Sequence, residues 1–148
     1  MLIDSLMSPA RKLAFNLGAA GNYDFGPAID LDVARNNGVF PAQSVEPGFL
    51  LTITTTATSG GAATANFQLL TDDNAAMSSP VVIGEFGVKA LAELAAGKQH
   101  FLRLPDTNLF ERYIRFRQVT GVAAFTAGAA SLEFVANRRN WRAYPSKK

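Results

Sequence analysis

The fold is indicated first by residues 49–57, which read FLLTITTTA and alternate with a period of two. Phe49, Leu51 and Ile53 fall on one face, and threonines fill the other face. Threonine favours a pleated strand over a helix because its β-branched side chain loses rotamer freedom against a helical turn. We therefore predict a half-buried β-strand here, followed by a turn at Ser59-Gly60-Gly61.

The same alternation recurs along the rest of the chain. It predicts further strands at residues 64–71, 80–84, 99–104, 112–119 and 130–136, separated by clusters of Gly, Pro, Asn and Asp. Residues 88–96 suit a single helical turn or an irregular crossover rather than a full helix. Short strands of this kind are typical of an antiparallel sandwich or barrel, so the fold class is all-β.

The pattern predicts one domain over residues 1–148. The first 48 residues are richer in Gly, Pro and Asn and alternate weakly, so we expect an extended N-terminal arm with one or two short strands, such as residues 28–33. Residues 49–136 form the main sandwich, and residues 137–148 form a basic C-terminal tail.

Composition narrows the possible functions. The chain has no cysteine, which excludes disulfides and thiolate metal sites, and charged residues are 18% of the total, below the roughly 25% of an average domain. Charge depletion is found at the cores of protein interfaces. No apolar run approaches the roughly 18 residues of a membrane span, and the order of apolar and basic residues at the N-terminus is not that of a secretory signal. We expect a soluble chain made in the cytoplasm, with no membrane partner.

The residues that could carry chemistry are few. His100 is the only histidine and lies on the apolar face of its predicted strand, where a core or interface role is more common than catalysis or metal binding. Asp72, Asp73 and Asn74 lack the alternating spacing of a calcium loop and suit turn formation. Asp30 and Asp32 are more readily two solvent-facing acids than a catalytic pair. We predict no enzyme activity, no metal and no cofactor.

Charge is unevenly distributed along the chain. Residues 1–110 contain six Lys and Arg against ten Asp and Glu, whereas residues 111–148 contain eight against two. The predicted strand at 112–119 places Tyr113, Arg115 and Arg117 on its outer face, which suits a nucleic-acid contact, a protein interface or a solvated edge strand. The tail adds Arg138, Arg139, Trp141, Arg142 and Tyr144 as candidate interface residues.

Several stretches, in order, resemble capsid cement (decoration) proteins of short-tailed double-stranded DNA phages. Residues 70–80, LTDDNAAMSSP, are similar to a TDDNAAFSSP loop of that family, and residues 111–116 with 119–121 are similar to its ERYLRL…VTG strand. The start MLIDS and the Thr126-Ala127-Gly128 stretch also fit. The segment 18–41 is longer than the family pattern, and the basic tail is an addition to it.

The resemblance implies a jelly-roll-like β-sandwich that binds the outside of an icosahedral head, in the virion. Its expected partners are the major capsid protein and further copies of itself, as a dimer or trimer, without direct nucleic-acid contact. The N-terminal arm, including Leu2 and Ile3, and the basic tail would reach neighbouring subunits. Two other classes stay open from the residues: a nucleic-acid-binding β-barrel using Arg115, Arg117, Tyr113 and Trp141, and, with less support, a carbohydrate-binding jelly roll.

Overall fold

The computed structural model describes residues 10–32, 48–104 and 109–135. Most of these residues lie in β-strands. The strands are β1 (Ala10–Ala14), β2 (Gly21–Asp30), β3 (Gly48–Ser59), β4 (Thr64–Asp72), β5 (Val81–Glu85), β6 (Lys89–Ala90), β7 (Gln99–Arg103), β8 (Tyr113–Gly121) and β9 (Phe125–Val135), with one 3₁₀ helix at Leu91–Leu94.

The strands form two antiparallel sheets that pack face to face as a sandwich. Sheet 1 has the order β1-β9-β3-β7, and sheet 2 has the order β2-β8-β4-β5, with β6 also paired to β4. The all-β prediction is confirmed. From β3 to β9 the predicted strands are present, and the segment predicted as a single turn or crossover contains the 3₁₀ helix.

The structure places two strands in the N-terminal region, where we predicted an extended arm with one or two short strands. Residues 10–14 and 21–30 are strands within the two sheets, and β2 is longer than the short strand predicted at 28–33 and begins earlier. Phe25 in β2 is only 1% exposed, so this strand contributes to the core. The period-two alternation of β2 is not visible in the sequence because the strand contains a bulge. The residues from Phe25 to Ile29 lie opposite only the residues from Phe116 to Ile114 of β8.

Phenylalanine rings join the two sheets. Phe15, which follows β1, lies 5.5 Å from Phe67 of sheet 2 and 5.4 Å from Phe125 of sheet 1, between ring centroids. Nearer the other end of the sandwich, Phe49 of sheet 1 meets Phe116 of sheet 2 at 4.9 Å in an edge-to-face arrangement. Such aromatic pairs stabilise a core beyond their buried area alone.

A buried glutamine links sheet 2 to the connection between β1 and β2. Gln118 of β8 is 0% exposed and faces the core. Its Oε1 accepts a hydrogen bond from the Asn16 backbone N–H at 2.9 Å, and its Nε2 donates to the Asn16 carbonyl at 3.2 Å and to Thr120 Oγ1 at 2.9 Å. The amide thereby ties the β1–β2 connection to sheet 2 through both backbone groups of Asn16.

His100 takes a structural position, as the sequence indicated. It lies opposite Leu51 on the core-facing side of β7, and its Nε2 is 2.8 Å from the Glu93 carbonyl oxygen in the 3₁₀ helix. Glu93 in turn accepts a hydrogen bond from the Ala90 backbone N–H at 3.1 Å. The histidine therefore holds the 3₁₀ helix to β7.

Phe15 tests whether the N-terminal strands belong to the folded core. Phe15→Ala removes a ring that is 2% exposed and touches both sheets, so we expect the free energy of unfolding to fall by about 3–5 kcal/mol. Leu17→Ala is the matched control, because Leu17 is 52% exposed two residues away and its loss should change stability by less than about 0.5 kcal/mol. Denaturant unfolding measures both, and a neutral Phe15→Ala would contradict this core.

Candidate partner-binding surface

The outer face of sheet 2 carries the candidate residues that the structure describes. Along β8, Ile114, Phe116 and Gln118 point into the core, and Tyr113, Arg115 and Arg117 are half-buried on the other side. β8 lies between β2 and β4, so these side chains stand in the middle of the sheet and not on an edge strand. The solvated-edge interpretation is therefore wrong for this strand.

Arg115 is held against the sheet by its neighbours. Its Nη1 donates to Asp24 Oδ2 of β2 at 3.2 Å, and its side chain is only 21% exposed, against 68% for that of Asp24. Leu70 of β4 lies opposite Arg115 on the same outer face and is 2% exposed. Arg115 Nε is buried without a hydrogen-bond partner in the described part of the chain. One donor of this guanidinium is thus left unsatisfied.

Arg117 belongs to a row of polar side chains that crosses four strands. Asp24, Arg117, Gln68 and Glu85 occupy aligned positions on β2, β8, β4 and β5. Arg117 donates to Gln68 Oε1 through Nε at 3.2 Å and Nη2 at 2.8 Å, and Gln68 Nε2 donates to Glu85 Oε2 at 3.3 Å. The same carboxylate accepts from Asn66 Nδ2 at 3.0 Å. Two arginines and two carboxylates therefore balance one another on this face.

Immediately before β8, Arg112 interacts with two carboxylates and with the ring of Tyr113. Arg112 bonds Asp30 through Nη2 at 2.9 Å and lies 3.5 Å from Asp32 Oδ2 through Nε. Its guanidinium carbon is 5.2 Å from the Tyr113 ring centroid, within cation–π range. Hydrogen bonding to Asp30, together with its charge, raises the pKa of Arg112 above its usual value. Asp30 and Asp32 therefore serve as partners for an arginine, which the sequence interpretation as two solvent-facing acids missed.

The loop after β4 is organised by one buried carboxylate. Asp72 is 3% exposed, and its oxygens accept hydrogen bonds from the Ser79 backbone N–H at 2.8 Å and the Asn74 backbone N–H at 3.1 Å. Asn74 Oδ1 accepts from the Ala76 backbone N–H at 2.9 Å. The hydrogen bond from Ser79, followed by smaller contributions from Asn74 and Asp73, lowers the pKa of Asp72 despite its burial. These bonds are the turn chemistry expected from the sequence.

The other candidate interface residues lie outside the described residues. They are Leu2, Ile3, Arg138, Arg139, Trp141, Arg142 and Tyr144. Sequence reasoning missed the roles of Asp24 and Gln68, which bond the arginines, and of Glu85 and Asn66, which continue the row from Gln68. Period-two alternation could place each of them on an outer face, but only the strand register shows which ones meet.

Within residues 10–32, 48–104 and 109–135, no group of three or more His, Cys, Asp or Glu side chains is arranged to hold a metal ion. In the same ranges, no helix is long and apolar enough to cross a bilayer.

Comparison with known protein families shows which family the chain belongs to. The model of the Bbp16 family matches residues 25–134, which is more than half of the sequence. The chain therefore belongs to the Bbp16 family. No curated protein matches it.

Asp72 gives the loop a defined pH response. Because folding lowers its pKa, the ionised carboxylate stabilises the protein above the unfolded-state value of about 3.9, and this stabilisation is lost as pH falls through the lower folded-state pKa. We expect Asp72→Asn to lower the melting temperature at pH 7, by a difference that narrows as pH falls below about 4.

Melting curves between pH 7 and pH 2 measure this difference. Glu111→Gln removes one carboxylate from an exposed position nearby and serves as the control, with the same pH dependence as the wild-type chain. A gap between Asp72→Asn and wild type that stays constant down to pH 2 would show that the Asp72 carboxylate does not act through its charge.

Proposed function

We propose that this chain is a structural virion protein that binds the outside of a phage head and cements neighbouring copies of the major capsid protein. One observation carries the proposal: the two stretches that most resemble cement proteins, residues 70–80 and 111–121, meet in space. Thr71 Oγ1 donates to the Tyr113 carbonyl at 3.1 Å and accepts from the Glu111 backbone N–H at 2.8 Å. Asp72 lies opposite Tyr113 in the sheet.

The family match supports the same interpretation. Its limits at residues 25 and 134 enclose both stretches and the part of β2 that supplies Asp30, while Asp24 lies one residue before the match. The resemblance and the match therefore concern one connected part of the molecule.

The strand order supports a jelly-roll arrangement, which we include in the proposal. With β6 set aside, consecutive strands β1 and β2, β3 and β4, and β8 and β9 lie in opposite sheets. The first and last strands are neighbours in sheet 1, while β4 and β5 are neighbours in sheet 2. Eight strands in two such sheets are the arrangement of double Greek-key jelly rolls, which occur in viral capsid proteins.

The outer face of sheet 2 suits contact with a protein. Its arginines are already ordered by Asp24 and Gln68, so little side-chain entropy is lost when a partner binds. The face is also balanced in charge, which fits a partner of mixed polarity better than a phosphate backbone. On an assembled head, many modest contacts of this kind multiply with copy number, and no cofactor is needed.

Binding to heads tests the function and the surface together. We expect the purified protein to co-sediment with heads that lack it and to raise the temperature at which they rupture. Arg117→Ala should weaken binding by about tenfold or more, because it removes a half-buried arginine from the centre of the surface. Arg103→Ala replaces an exposed arginine on β7 of sheet 1, outside the predicted N-terminal arm, and is the matched control that should bind normally.

Two outcomes would contradict the proposal. Absence of binding to heads would reject the cement function. Binding to DNA that weakens steeply as salt rises would favour the nucleic-acid alternative instead.

The basic tail provides a separate prediction. Deleting residues 137–148, which follow the last described strand, should reduce attachment to heads and leave the melting temperature of the domain nearly unchanged. Occupancy on heads, measured by quantitative gel analysis of sedimented particles, gives the result. Wild-type occupancy after the deletion would show that the tail is not a contact.

A further inference from the structure

The arginines on and beside the outer face of sheet 2 differ in whether a carboxylate neutralises them. Arg112 and Arg115 are each paired with aspartates of β2 or the residues after it. Arg117 makes no ion pair with any residue that the structure describes. Its hydrogen bonds go to the neutral amide oxygen of Gln68. The charge of Arg117 is therefore not compensated by a direct contact within the described chain.

The hydrogen bonds of Arg117 leave one side of its guanidinium available. Nε and Nη2 donate to Gln68 Oε1 at 3.2 Å and 2.8 Å. A guanidinium carries five N–H donors, so Nη1 and the second hydrogen of Nη2 have no acceptor among the described residues. Two N–H groups that point the same way in this manner match the two oxygens of a carboxylate. Because the side chain is half-buried, that contact would be stronger than an ion pair on an open surface.

Glu85 fixes the orientation of the Gln68 amide. Its Oε2 accepts hydrogen bonds from Gln68 Nε2 at 3.3 Å and from Asn66 Nδ2 at 3.0 Å. An ionised carboxylate can only accept, so the nitrogen of Gln68 faces Glu85 and its oxygen faces Arg117. A glutamate at position 68 would neutralise the arginine, but it would also face the Glu85 carboxylate. The row therefore positions Arg117 and leaves it charged.

We propose that Arg117 binds the carboxylate of an Asp or Glu side chain on the partner protein through Nη1 and Nη2. The charges in the same row favour one carboxylate over a nucleic acid. Asp24 on β2 and Glu85 on β5 lie on the two sides of Arg117, so a phosphate backbone would bring further negative charges against both. The inference rests on the proposed function and names the chemical group on the major capsid protein that this surface would recognise.

A carboxylate supplied by the chain itself tests the inference. Gln68→Glu would give Arg117 the group that the partner is expected to supply, so binding to heads that lack the protein should weaken by about tenfold or more. Gln99→Glu makes the same chemical change at an exposed position of β7 in sheet 1 and should bind like the wild-type chain. Co-sedimentation over a range of protein concentrations measures the affinity, at low ionic strength where charge contacts are least screened.

A second variant avoids placing two glutamates side by side. Gln68→Glu combined with Glu85→Gln exchanges the two groups and keeps the net charge of the row. The amide at position 85 can donate to the carboxylate at position 68 and accept from Asn66, so both hydrogen bonds can be kept. We expect this exchange variant to have a melting temperature close to that of the wild-type chain and to lose binding to heads by the same factor as Gln68→Glu.

The results separate this inference from the function on which it rests. Normal binding of the folded exchange variant to heads would overturn the inference and leave the cement function standing. Failure of the wild-type chain to bind heads would reject the cement function and the inference with it. Binding of the wild-type chain to duplex DNA that is lost in the exchange variant would assign Arg117 to a phosphate and would also overturn the inference.

Discussion

The register of β8 is the constraint on which the rest of the structure depends. This strand pairs with β4 over its full length and with β2 on its other side, so its alternation fixes both faces of sheet 2 at once. A slip of one residue would bring Arg115 and Arg117 into the core and turn Phe116 and Gln118 outward. Burying two arginines without partners would cost far more than any gain in pairing. The core and the candidate surface are therefore specified by the same residues.

The polar side chains on the two faces of β8 find their hydrogen-bond partners in different ways. On the inner side, the side-chain amide of Gln118 hydrogen-bonds the backbone N–H and carbonyl of Asn16, as a neighbouring strand would do. On the outer side, Arg117 donates hydrogen bonds to the neutral amide of Gln68, and that amide donates a hydrogen bond to Glu85. Hydrogen bonding to the amide orients the cation without neutralising it, while Asp24 pairs with Arg115. The charges on this face therefore balance overall, while Arg117 remains a local positive charge.

Much of the sandwich could be predicted from the sequence because β3, β4, β8 and β9 alternate cleanly. Only the end of β2 was predicted, in the short strand at residues 28–33, because Gly26 and the bulge between Phe25 and Ile29 break the period on which the prediction depends. Arg115 and Arg117 were recognisable as an outer pair from spacing alone. Their partners were not, since Asp24 and Gln68 are 91 and 49 residues away from them in sequence, and only strand register brings them together.

The two ends of the sandwich differ in a way that bears on function. Asp30 of β2 and Asp72 of β4 are both paired with Tyr113 of β8 at one end of sheet 2. The ring contact between Phe49 and Phe116 places the start of β3 at that same end. The loop that resembles cement proteins and the Arg112 cluster therefore share one end, where the described parts of β2, β7 and β9 also finish. Under the function we propose, substitutions in the loop at residues 73–80 would alter the contacts offered to a partner without disturbing the register of β8. Partner specificity would then vary at this end while the fold stays the same.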